Sequence, residues 1–96
     1  MYLIFNKPEA EADALEAANW YESQQAGLGD EFIDELEDLY SYLEFNPFLF
    51  PKTYLSVRQA PLKRFPYVVL YTIEKRKVFV LAVFNCYQHP RKKRKH

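Results

Sequence analysis

Two long apolar segments in the second half of the chain restrict its fold more than any other feature. Residues 66–73 and 78–84 are almost uninterrupted runs of aliphatic and aromatic side chains, joined by the short polar connection Lys75-Arg76-Lys77. Runs that are apolar at both odd and even positions are typical of β-strands that are covered, at least in part, on both faces. The sequence therefore predicts a β-hairpin with helices on one face, and with a concave surface or a partner protein on the other.

The first half of the chain has the periodicity of two amphipathic helices. Apolar residues recur at spacings of three and four over residues 7–25 and again over residues 30–46, and Gly27-Leu28-Gly29 separates the two segments. Asn6, with Glu9 three residues later, resembles a capping box at the start of the first helix. We therefore predict an antiparallel helical hairpin whose solvent-exposed face is acidic.

A strand at residues 2–6 and a weakly alternating segment at residues 55–60 complete the predicted elements. The resulting order is β-α-α-β-β-β, and we expect an α+β fold in which the helical hairpin packs on one face of a twisted antiparallel sheet. Ninety-six residues are enough for one such domain. We assign residues 1–90 to it and residues 91–96 to a basic C-terminal tail.

The net charge of zero conceals an uneven distribution of charge. Residues 1–50 hold twelve acidic side chains and one basic side chain, whereas residues 51–96 hold twelve basic side chains and one acidic side chain. Because local clustering sets the field at a surface, such a chain can still bind an anionic partner. Two interpretations remain open. Either the halves attract each other and do nothing more, or Arg58, Lys63 and Arg64 share a basic, outward-facing sheet surface backed by the acidic helices.

Several classes of protein do not fit this sequence. No apolar run approaches the roughly 18 residues of a membrane span, and the first residues lack the basic and long apolar regions of a signal peptide, so we expect a cytoplasmic protein without membrane contact. The single cysteine, Cys86, fits a reducing compartment. We expect neither a metal nor a cofactor, because the potential ligands lack metal-site spacing. Nothing in the sequence orients His89 as a base for Cys86.

Several motifs occur along the chain in a specific order and spacing: Glu11 with Trp20-Tyr21, Gly27-Leu28-Gly29, Phe32 with Leu36, Asn46-Pro47, Arg58, the segment 62–71, the segment 80–84, and Pro90. Together they resemble the RelE/ParE superfamily of bacterial toxins. The resemblance extends from about residue 2 to residue 92, and its most specific part is similar to the family's arginine strand and FPY-x-x-x-Y segment. It implies a toxin of a type II toxin–antitoxin system, of the plasmid-stabilising kind, inhibited by a cognate antitoxin.

Members of this superfamily have two different activities, and the resemblance leaves both open. ParE-like toxins inhibit DNA gyrase, whereas RelE-like toxins cleave mRNA in the ribosomal A site without a metal ion. Near the end of the last strand many relatives carry a His and then an Arg, where this chain has Asn85 and Gln88. These amides neither carry charge nor transfer protons at neutral pH. The difference favours the ParE-like branch, with gyrase or an undetermined target.

RNA cleavage would require a group that activates the 2′-hydroxyl, a cation that stabilises charge on the phosphate, and an acid for the leaving oxygen. The resemblance and the residue types together give a candidate catalytic set. In it Arg58, Lys63 and Arg64 supply the cation, and Tyr87 or His89 transfers the proton.

Two binding surfaces are predicted. Cationic and aromatic side chains hold phosphates and stack on bases, so the predicted nucleic-acid-binding residues are Arg58, Lys63, Arg64, Tyr71, Arg91 and Lys92. The alternative for these residues is a solvated sheet face with a disordered tail. The predicted antitoxin-binding residues are Phe48, Phe50 and Tyr54, which a chain of this length cannot bury alone. The expected assemblies are a homodimer or a heterotetramer with the antitoxin. A further alternative is an inactive module that only binds antitoxin or nucleic acid.

Overall fold

A helical hairpin packs against a five-stranded sheet in the computed structural model, which describes residues 1–87. The strand order is β1-β5-β4-β3-β2. Neither helix in this part of the chain is long and apolar enough to cross a membrane. In chain order the elements are β1 (Leu3–Asn6), α1 (Pro8–Gln24), α2 (Leu28–Phe45), β2 (Lys52–Tyr54), β3 (Val57–Pro61), β4 (Tyr67–Glu74) and β5 (Lys77–Asn85).

The predicted α+β fold, with the helical hairpin on one face of the sheet, is confirmed. Two features differ from the expected antiparallel sheet. Strand β1 pairs with β5 in parallel, with Phe5 opposite Phe79, and β2 adds a short, exposed edge strand. The partner of an edge strand is fixed by contacts distant in sequence, so the local pattern of residues 2–6 does not encode its direction.

The turn between the helices depends on two glycines with different roles. Gly27 has a positive φ of 89°, which favours glycine over every other residue. Gly29 lies inside α2, where a side-chain methyl group would approach the carbonyl oxygen of Ala18 to 2.5 Å, so the two helices are in contact there. The carboxylate of Glu22 accepts the N–H groups of Gly27 and Gly29, each at 2.9 Å. These bonds allow α2 to begin at Leu28, two residues before the predicted start.

The predicted capping box at the start of α1 is wrong. Asn6 is the last residue of β1, and its Oδ1 atom accepts a hydrogen bond of 3.1 Å from the hydroxyl of Tyr40. Lys7 occupies the N-cap position instead and makes no side-chain cap. The residue pattern favoured a cap, but the contact with α2 uses the same side chain.

The core lies between the helices and one face of the sheet. It contains the predicted apolar stripe of α2, small residues of α1, and alternate residues of β4 and β5. Because side chains alternate along a strand, the neighbouring residues lie on the opposite face, which neither α1 nor α2 covers. The principal core residues are Ala10, Ala17, Phe32, Leu36, Leu43, Val69, Tyr71, Val78, Val80 and Val83.

Candidate functional site

Arg58 lies on the helix-covered side of the sheet. It sits on β3 directly opposite Tyr71, whose side chain belongs to the core. One guanidinium nitrogen donates to the carbonyl oxygens of Phe50, at 2.6 Å, and Phe48, at 3.4 Å. The guanidinium also lies 5.3 Å from the centre of the Phe48 ring, a cation–π distance. Arg58 therefore stabilises the segment that follows α2.

Tyr71 is fully buried, which corrects its assignment to nucleic-acid binding. Its hydroxyl donates a hydrogen bond of 2.7 Å to the carbonyl oxygen of Pro47. Burial raises the pKa of Tyr71 to about 12, although the positive charge of Arg58 lowers it in part. The ring has no exposed face on which a base could stack, and its hydroxyl is already used.

Lys63 and Arg64 follow β3 and pack against the N-terminal half of α2. The carboxylate of Glu35 accepts the backbone N–H groups of both residues. The guanidinium of Arg64 pairs with Glu31, and this hydrogen bond raises the pKa of Arg64 further above its ordinary value. Both residues thus contact acidic groups of the helix.

Tyr87 is the last residue that the structure describes, and it is largely exposed after the end of β5. Its N–H donates to the side-chain oxygen of Asn85, at 2.9 Å, and the N–H of Cys86 donates to the carbonyl of Pro66, at 2.8 Å. The chain therefore leaves β5 beside the β3–β4 loop. The predictions for His89, Arg91 and Lys92, and for the tail, fall outside the described residues.

The expected basic surface on the outward face of the sheet is wrong. Arg58 points to the helix side near the start of β3, whereas Lys63 and Arg64 contact α2 beyond its end. Within β1, β3, β4 and β5, Lys77 is the basic residue on the outward face, and it lies opposite Glu74. The pairing register places on that face Leu3, Phe5, Gln59, Pro61, Val68, Leu70, Thr72, Phe79, Ala82 and Phe84. This face is mainly apolar.

A groove of about 900 Å³ separates α2 from the segments that flank β3. Its helical wall changes character along α2, from carboxylates at its N-terminal end to apolar and aromatic groups at its C-terminal end. No sequence pattern described above predicted this groove. The spacing of Glu31, Glu35, Asp38 and Tyr42 along one helical stripe is a signal that could have indicated it. The lining residues are Glu31, Asp34, Glu35, Asp38, Leu39, Tyr42, Leu49, Phe50, Pro61, Leu62, Lys63 and Arg64.

The three residues predicted to bind the antitoxin occupy different positions around this groove. Phe50 is half-buried in its lining, and its ring lies 6.3 Å from that of Tyr42. Phe48 is 54% exposed beneath Arg58, and Tyr54 is 70% exposed on the edge strand β2. Within residues 1–87, no three His, Cys, Asp or Glu side chains are grouped so as to hold a metal ion.

Comparison with known proteins identifies the family. No curated protein matches the chain significantly. A solved structure described as the chromosomal ParDE TA system from P. aeruginosa has the same fold, with a TM-score of 0.66 at 14% identity, covering 88% of this chain and 96% of the other. The family model described as the ParE toxin of the type II toxin–antitoxin system parDE matches residues 4–90. The chain therefore belongs to the ParE toxin family of type II toxin–antitoxin systems.

Proposed function

We propose that this chain is a toxin that inhibits DNA gyrase through protein–protein contacts and that a cognate antitoxin neutralises it in the cytoplasm. The observation that carries the proposal is that both candidate arginines already contact acceptors of the protein itself. Arg58 donates to two backbone carbonyls, and Arg64 is paired with Glu31. Meanwhile large apolar groups remain at the surface, as is typical of a protein that acts by docking.

The alternative, ribosome-dependent mRNA cleavage, requires a cation and a proton-transfer group that converge on one phosphate. Among residues 1–87, Arg58 and Arg64 point to acceptors of the protein itself, and Tyr71 is buried. The remaining candidates there are Lys63 and Tyr87, which lie in loops rather than on a common strand face. These contacts support a target other than RNA, and gyrase is the target that the resemblance to ParE-like toxins implies.

The antitoxin is the second partner in this proposal. Phe48 and Tyr54 expose more than half of their surface, and Phe50 lines the groove beside α2. An extended or helical antitoxin segment that covered these rings would remove apolar surface from water, which is favourable by about 25 cal/mol for each Å² buried. We propose these three residues as part of its binding surface.

The proposal is tested by adding the purified chain to gyrase and relaxed plasmid DNA. We expect inhibition of supercoiling or accumulation of cleaved DNA, reversed by the antitoxin encoded beside the chain. Full gyrase activity at a large excess of folded chain would contradict the proposed target. Unimpaired growth of the natural host during strong expression would contradict toxicity itself and would leave an inactive binding module.

A further inference from the structure

The groove beside α2 has an uneven distribution of charge that is only partly neutralised within the fold. At its N-terminal end Glu31 pairs with Arg64, and Glu35 accepts the N–H groups of Lys63 and Arg64. Asp34, between these two glutamates, and Asp38, about one turn beyond Glu35, are exposed and make no hydrogen bond or ion pair with another side chain of residues 1–87. The middle of the groove therefore carries carboxylates that no ion pair within residues 1–87 neutralises.

The C-terminal end of the same groove is apolar. Tyr42 and Leu49 are 52% and 51% exposed, and Phe50 packs against the Tyr42 ring. Leu39 and Leu62 form the buried base between the two walls. Large apolar groups that stay half-exposed in a concave surface are typical of a position where a partner inserts apolar side chains.

The spacing of these two features defines the partner. Asp38 and Tyr42 are four residues apart on α2, a rise of about 6 Å, and the stripe from Glu31 to Tyr42 is about 16 Å long. An extended segment of about five residues has this length. Such a segment complements the groove if a Lys or Arg faces Asp34 and Asp38 and a large apolar side chain lies over Tyr42 and Leu49.

We propose that this groove binds the antitoxin through a segment that carries a basic residue followed, about one helical turn along α2, by an apolar anchor. The inference rests on the proposed function, because the segment that binds the groove belongs to the antitoxin. Here the acidic helix is the complementary surface.

The charge half of the inference is tested with the double variant Asp34→Asn, Asp38→Asn. Its matched control is Asp30→Asn, Glu37→Gln, which removes the same charge from the exposed surface of α2 outside the groove. The affinity of the purified chain for the antitoxin encoded beside it is measured at several salt concentrations. We expect the groove variant to lose on the order of tenfold in affinity, with a weaker salt dependence, while the control stays close to wild type.

The apolar half is tested with Tyr42→Ala, Leu49→Ala, against Phe45→Ala, a residue of α2 that is 78% exposed and does not line the groove. We expect a loss of about 30-fold or more for the groove variant and little change for the control. Thermal unfolding of each chain establishes that it is folded.

Different outcomes separate the inference from the proposed function. The inference is overturned, and the proposed function stands, if the complex forms but the groove variants have the same affinity for the antitoxin as their controls. The same holds if Asp34→Asn, Asp38→Asn binds the antitoxin more tightly than wild type. If the groove variants instead abolish self-association of the chain, a second copy is the occupant and the inference is also overturned. If the wild-type chain and the antitoxin form no complex, both are overturned.

Discussion

The guanidinium group of Arg58 donates a hydrogen bond of 2.6 Å to the carbonyl oxygen of Phe50. This contact crosses from β3 to the segment that follows α2, and the same guanidinium lies over the ring of Phe48. Arg58, which the family resemblance indicated as a cation for phosphate chemistry, therefore helps to hold residues 47–50 against the sheet.

Replacing Arg58 should destabilise the fold. We expect Arg58→Ala to lower the free energy of unfolding by about 1.5–3 kcal/mol, because it removes a charged donor shared by two carbonyls together with a ring contact. The free energy of unfolding of Arg58→Lys should lie between those of Arg58→Ala and wild type, since an ammonium group can still donate to one carbonyl. Urea unfolding measures the change, with the exposed Lys52→Ala as control. Equal stability of Arg58→Ala and Lys52→Ala would contradict a structural role for Arg58.

The hydroxyl of Tyr71 should make a separate contribution to stability. Tyr71→Phe keeps the buried ring but leaves the carbonyl oxygen of Pro47 without its donor. We expect a loss of about 1–3 kcal/mol, the cost of an unsatisfied buried acceptor. Chemical denaturation of the variant checks this value, and wild-type stability would show that the bond contributes nothing.

The stability of the chain should fall at alkaline pH. The pKa values of Tyr71 and Tyr40 are both raised to about 12, chiefly by burial, from an ordinary value of 10.0. Below pH 10 these tyrosines are protonated in the folded and in the unfolded chain, and their contribution to stability is complete. Between pH 10 and pH 12 the tyrosines of the unfolded chain ionise first, so this contribution is lost as the pH rises. The loss should be about 2–3 kcal/mol for each group. Urea unfolding across this range should show a shallower decline for Tyr71→Phe, and an identical decline would refute the burial of its phenol.

The two glycines of the helical turn should respond differently to substitution. In Gly29→Ala the new methyl group meets the Ala18 carbonyl at 2.5 Å, so the helices must separate, at a cost of about 2 kcal/mol or more. In Gly27→Ala the methyl group enters open space, and the cost is only that of the positive φ, about 1 kcal/mol. Thermal unfolding of both variants gives the order. A larger loss for Gly27→Ala would contradict the close helix contact.

Local patterns in the sequence were sufficient for the elements of the fold. The apolar stripe of Phe32, Leu36, Leu39 and Leu43 and the two long apolar runs predicted α2 and the β4–β5 hairpin, because burial on one helical face or on both sheet faces leaves a direct periodic signal. The parallel direction of β1 and the hydrogen bond between Asn6 and Tyr40 could not be predicted from such local patterns. Both depend on residues more than 30 positions away, Phe79 and Tyr40.

The surface was harder to predict than the core. The distribution of charge along the sequence does not give the position of a charged side chain in the fold, because tertiary contacts determine that position. Backbone carbonyls after α2 hold the side chain of Arg58, and Glu31 holds that of Arg64. A basic side chain within a strand can face either side of the sheet, and its parity follows from the register, which pairs Arg58 with the buried Tyr71. The groove also depends on tertiary contacts, because it lies where segments distant in sequence meet one face of α2. Local sequence patterns therefore did not predict it.

We propose that the chain acts through protein contacts and not by cutting RNA with Arg58, Lys63 and Arg64. Primer extension along a translated message, after induction of the chain in cells without its antitoxin, distinguishes these two modes of action. We predict growth arrest with no new 5′ ends at A-site codons. Cuts at those codons that disappear with Lys63→Ala, in a chain that remains folded, would show that the chain cleaves RNA and would overturn the proposed function.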